Sequence, residues 1–125
     1  MKLVKPYTIV DTINVGSNEF EIAQKGDIYY LCSKSDSKNI LSGFFDIWRR
    51  SKDLKEDLLT EIESVLSEKV KFTDVGADIM GIAYIEYETT KLMGSEVGYA
   101  DLVLPTKEFK EIVLKWVDFL EIHGK

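Results

Sequence analysis

The apolar residues at the start of the chain follow a period of two. Tyr7, Ile9, Ile13 and Val15 share one parity, with Thr8, Val10, Thr12 and Asn14 opposite, a pattern that suits a half-buried strand. Asp11 falls on the apolar parity, so it must be paired, accommodated by an edge or a bulge, or functional. Gly16-Ser17-Asn18 supplies a turn and Glu19 to Ala23 alternates again. Lys25-Gly26-Asp27 then leads into Ile28-Tyr29-Tyr30-Leu31-Cys32. These segments predict three strands in an antiparallel meander.

The period then lengthens. Ile40, Leu41, Phe44, Ile47 and Trp48 recur at helical spacing and predict a helix beginning near Ser37. Leu54, Leu58, Ile62, Val65 and Leu66 form a second stripe, and Asp53 with Glu56 has capping-box spacing. The pattern leaves open whether residues 49–52 break or bend the helix. Val70 and Phe72 reopen extended structure, which the polar Asp74-Val75-Gly76-Ala77-Asp78 run is expected to interrupt as a loop. A strand over about 81–89 places Ala83, Ile85 and Tyr87 on one face and Ile82, Tyr84, Glu86 and Glu88 on the other. A hairpin turn is expected within Gly94-Ser95-Glu96-Val97-Gly98, followed by a strand over 99–104 that ends at Pro105. Thr106 stands where it can cap a last helix with Phe109, Ile112, Val113, Trp116, Phe119 and Leu120 on its buried face.

The order β-β-β-α-α-β-β-α predicts an α+β fold. We expect an antiparallel sheet of about five strands with helices mainly on one face, in a single domain over residues 1–125. No apolar run approaches the roughly 20 residues of a membrane span or has signal-peptide form, and a lone cysteine precludes an internal disulfide. Those features point to a cytoplasmic protein.

Charge adds one feature. The chain carries a net charge of −6, and between Phe72 and Asp101 six acids, namely Asp74, Asp78, Glu86, Glu88, Glu96 and Asp101, face one base, Lys91. Such a field attracts a basic protein surface and disfavours nucleic acid and anionic membrane. The tyrosines at 29, 30, 84, 87 and 99 all fall on expected strands, yet stacking platforms for single-stranded nucleic acid sit in a basic field, which this segment lacks.

Reactive groups are few. There is one histidine, His123, expected to fray near the end of the sequence, and one cysteine, Cys32, on the parity of Ile28 and Tyr30 and expected to be buried and structural. Two Cys and His residues cannot make a structural zinc site, and Asp74 and Asp78 match no ordered calcium-loop spacing. Neither phosphate-binding glycine motif occurs, Arg49-Arg50 is too short to mark a phosphate site, and Trp48 and Trp116 read as core residues. We therefore expect no catalytic residue, metal or cofactor.

The leading expectation is a non-enzymatic, acidic protein-binding module whose contact residues are Tyr84, Glu86, Glu88, Glu96 and Asp101, by charge complementarity around a tyrosine anchor. Its profile resembles that of the immunity proteins of bacterial toxin systems, which block basic nucleases; the likeness is one of class, carried by no motif. Two alternatives stand beside it. An assembly, chaperone-type or homodimer subunit would use apolar surface from Phe45, Val117 or Ile122. A small-ligand binder or enzyme would use a sheet–helix pocket with Asp11, Tyr30 or Glu86.

Overall fold

A computed structural model describes residues 7–35, 39–77, 81–94 and 101–125. The predicted meander forms as β1 (Thr8–Val15), β2 (Asn18–Lys25) and β3 (Ile28–Ser33), a three-stranded antiparallel sheet in the order β1-β2-β3. A bulge lies just before Asp11, which itself stays in register with Ile13 and on its parity. Ile9 pairs with Ala23 while Asp11 pairs with Ile22, so Val10 is the extra residue on an edge strand, and Asp11 stays exposed and accepts the Thr12 amide at 2.8 Å.

Helix α1 (Asn39–Phe45) follows, and Ser37, the expected start, lies outside the described residues. The chain breaks at Arg50, whose extended backbone (φ −125°, ψ 132°) ends any continuity with the next helix. That helix, α2, spans residues 51–66: an α turn Ser51–Asp53, a π-helical stretch Leu54–Leu59 and an α segment Thr60–Leu66. The expected capping box is absent, because Asp53 is already helical and makes no side-chain cap bond. It lies instead 3.6 Å from Arg50. Just past the π stretch the Thr60 hydroxyl donates to the Lys55 carbonyl, and along α2 Leu54, Leu58, Ile62 and Val65 still reach the core.

The second half corrects the expected strand count. Four strands, β4 (Phe72–Ala77), β5 (Gly81–Glu86), β6 (Thr89–Met93) and β7 (Leu102–Pro105), form a second antiparallel sheet in that order. Residues 74–77, expected as a loop, are ladder. Gly76 sits at φ +134° against the backbone of Gly81, where a Cβ would collide, so glycine here serves a close strand pairing. The strand expected over 81–89 is two strands joined at Tyr87-Glu88. Tertiary contacts explain the break: helix α3 (Thr106–Ile122) takes the Glu88 carbonyl with the Thr106 amide at 3.1 Å and the Glu86 carbonyl with the Thr106 hydroxyl. Thr106 is therefore the first residue of the helix rather than its cap, which is Pro105. Its one hydroxyl proton goes to Glu86, so Thr90 donates across the 3.0 Å contact between the two buried threonines.

One apolar core joins these parts. Helices α1 and α3 each touch both sheets, and Phe20, Ile22 and Leu31 from the first sheet pack in one cluster with Ala83, Ile85 and Leu92 from the second and Phe44, Leu58, Phe109 and Trp116 from the helices. Each hydrophobic side chain of that size contributes about 2 kcal/mol on burial, so the cluster is the main source of stability. Trp116, fully buried, donates its Nε1 proton to the Trp48 carbonyl at 2.7 Å and thereby holds the α1–α2 linker to α3.

The end of the sequence is ordered where fraying was expected. Gly124 (φ +72°) allows the Lys125 amide to reach the Leu120 carbonyl and the Gly124 amide to reach that of Glu121, a Schellman cap. The Lys125 carbonyl oxygen in turn accepts the Ser51 amide.

Candidate functional site

The second sheet has two unlike faces. Gly81, Ala83, Ile85, Thr90, Leu92 and Leu104 point into the core, whereas Ile82, Tyr84, Glu86, Lys91, Met93 and Val103 point away from it and keep solvent access. The expected division of β5 into an inner Ala83/Ile85 face and an outer Tyr84/Glu86 face therefore holds; Tyr87 leaves it at the turn. Register assembles the open face in rows: Asp74, Tyr84, Lys91 and Val103 lie side by side across the four strands.

Phe72 enters from the edge strand. Its ring stacks on Tyr84 with centroids 5.2 Å apart and planes at 22°, while Phe72 remains 54% exposed and Val103 50%. The Phe72–Tyr84 stack is thus an open apolar spot at the β4 edge, of the kind that marks interaction surfaces, while Val103 stands apart on β7 at the opposite edge with Lys91 between it and Tyr84. Around the stack stand Asp74 and Glu86, with Lys91 Nζ 3.5 Å from Glu86 Oε1.

Not all the expected contact residues meet there. Tyr84 and Glu86 are adjacent on the open face. Glu88 projects from the β5–β6 turn, exposed, with Lys107 over the neighbouring Tyr87 ring at 5.9 Å. Asp101 lies at the far end, where its Oδ2 accepts the Gly94 amide at 2.6 Å. From the Thr89 end of β6 to the Met93 end is four residues, about 13 Å, so Asp101 and Glu86 act as separate charges on one face. Glu96, like Asp78 and Tyr99, lies outside the described residues.

Phe72 and Val103 were missed as contact residues. The Phe72/Asp74 parity competes with Thr73/Val75, and only the structure decides that Val75 packs on the core while Phe72 does not. Thr73 instead donates its hydroxyl to Glu61 at 2.7 Å, tying β4 to α2.

The other candidates scatter. Asp11 lines a hollow between β1 and α3, Tyr30 lies beneath the Arg49 guanidinium at 5.1 Å, and Glu86 is on the open face of the other sheet, so these three form no common pocket. Phe45 and Val117 are buried, which removes them from any apolar docking surface and leaves Ile122, 80% exposed. Cys32 is half-buried, because Leu31 takes the core side of β3. His123 contacts the Phe119 carbonyl through Nδ1 at 2.8 Å and stacks on the Phe119 ring at 4.1 Å. Since a carbonyl only accepts, Nδ1 carries the proton and Nε2 is the acceptor in the neutral ring.

Among the described residues Asp46, in the α1–α2 linker, is the acid with a clear shift. Burial holds its pKa above the usual value, against the smaller, opposing pull of Arg49. Among the described residues no three Asp, Glu, His or Cys side chains are grouped to hold a metal, and no helix is long and apolar enough to cross a membrane. No protein-family model, curated protein or solved structure matches the chain.

Proposed function

We propose that this protein is a non-enzymatic binding module that docks a basic protein on the open face of its four-stranded sheet. The observation that carries this reading is the exposed Phe72–Tyr84 stack set among Asp74, Glu86 and Lys91. An aromatic anchor flanked by Asp74 and Glu86 supplies apolar contact area and, through Glu86, a charge that a partner arginine can take over from Lys91. The surrounding acids steer a cationic partner during approach. A concrete form is an inhibitor that covers the cationic active site of a nuclease, as toxin immunity proteins do, acting inside the cytoplasm.

The test is affinity capture from a lysate of the native source with wild type beside Glu86→Lys/Glu88→Lys and Phe72→Ser, each checked for folding by circular dichroism. A basic protein held by wild type and released by both variants supports the reading. The same protein retained by both rejects this face as the docking surface.

A further inference from the structure

The adjacent bases Arg49 and Arg50 meet a third, Lys125, from far along the chain. Arg49, Arg50 and Lys125 line a hollow of about 270 Å³ with Asp27, Ile28 and Tyr29. Lys125 arrives there because the Schellman cap turns the chain back towards the start of α2, where its carbonyl meets the Ser51 amide. Three bases stand here against two acids, Asp27 in the lining and Asp53 beside Arg50, which leaves one base in excess in a chain whose net charge is −6.

Arg49 is held in place on two sides. Its Nε donates to the Asp46 carbonyl at 2.7 Å and its guanidinium lies 5.1 Å from the Tyr30 ring centroid. A guanidinium fixed in this way loses little further freedom when its remaining N–H groups engage a ligand. The neighbouring acids compete weakly. Asp53 stands 3.6 Å from Arg50 and Asp27 3.9 Å from Lys125, both beyond direct hydrogen-bond length, and Asp27 is almost wholly exposed.

A hollow that also contains lysines, lined by Lys55, Lys69, Thr60, Ser64 and Ser67, lacks these properties. There Lys55 is paired with Glu121 at 2.7 Å, and the three hydroxyl protons are given to helix carbonyls.

We propose that the Arg49/Arg50/Lys125 hollow binds a small dianionic oxyanion, the phosphate group of a phosphate-bearing small molecule, with Ile28 and Tyr29 as the apolar wall for its body. Two guanidinium groups beside an ammonium group offer the several N–H donors that suit the oxygens of a phosphate. The site is separate from the open sheet face and does not depend on the function proposed for it.

The experiment is an amide NMR titration of the full chain with sodium phosphate near neutral pH, ionic strength held constant with sodium chloride. Saturable shifts centred on Arg49, Arg50 and Lys125 are expected. Arg50→Gln, whose side chain is 70% exposed and so dispensable for folding, should weaken binding roughly three- to tenfold, the effect of one charge-assisted contact near solvent. Lys69→Gln should leave it unchanged. Shifts that grow linearly without saturation, or equal binding by wild type and Arg50→Gln, would overturn the proposal.

Discussion

The two tryptophans make opposite predictions from one core. Trp116 Nε1 is satisfied by the Trp48 carbonyl at 2.7 Å, whereas Trp48 Nε1 is buried with no hydrogen-bond partner among the described residues. Replacing either by phenylalanine removes about 40 Å³ of side chain, which at ~24 cal/mol per Å³ of residual cavity costs about 1 kcal/mol. In Trp116→Phe the Trp48 carbonyl then loses its donor inside the core, adding about 1–3 kcal/mol, for a total near 2–4. In Trp48→Phe the change removes an unsatisfied donor, and a gain of about 1–3 kcal/mol offsets the lost volume. Trp116→Phe should therefore be less stable than Trp48→Phe by at least about 2 kcal/mol. Urea unfolding followed by far-ultraviolet circular dichroism, which does not depend on the tryptophans being replaced, reads this as a midpoint gap on the order of 1 M. Equal midpoints, or Trp48→Phe as the weaker variant, would refute the reasoning.

Thr106→Val should cost about 1–3 kcal/mol by stranding the Glu86 carbonyl and the Thr90 hydroxyl, while Thr106→Ser keeps most of the stability; thermal unfolding of the pair checks this. Gly76→Ala should lower stability by more than about 2 kcal/mol, since its φ of +134° and the Gly81 backbone both reject a Cβ, and hydrogen exchange should show β4 opening first. For Asp46 the folded pKa is raised, so the protonated acid favours the fold and that contribution is lost as pH rises above 3.8 through the raised value. Asp46→Asn should thus gain on wild type between about pH 3.5 and pH 7, and a stability difference that shrinks over that window would contradict the sign.

Much of the fold was legible because local pattern and tertiary packing agreed. The meander, its Gly16 and Gly26 turns and the buried stripe of α3 follow from period two, turn chemistry and period 3.6 acting on residues whose neighbours ask for the same state. The failures fall where a distant partner decides. Residues 87–88 read as strand, but Thr106, far along the chain, claims the carbonyls on either side of Tyr87 and forces a turn. Residues 74–77 read as loop from their composition, but Gly76 is the residue that lets β4 approach β5.

The same division holds for the candidate site. Tyr84 and Glu86 were visible from alternation alone. Phe72 was not, because whether an edge strand points its aromatic inward depends on which parity the Thr73–Glu61 contact to α2 selects. The convergence of Lys125 on Arg49 and Arg50 was likewise hidden, since it depends on how α3 ends.

The most direct test of the docking face is amide and methyl NMR mapping of the labelled protein with the partner recovered by affinity capture. Perturbations centred on Phe72, Tyr84, Glu86, Lys91 and Val103 are expected, with the three-stranded sheet unchanged. Perturbations confined to β1–β3, with those five residues unmoved, would contradict docking on this face.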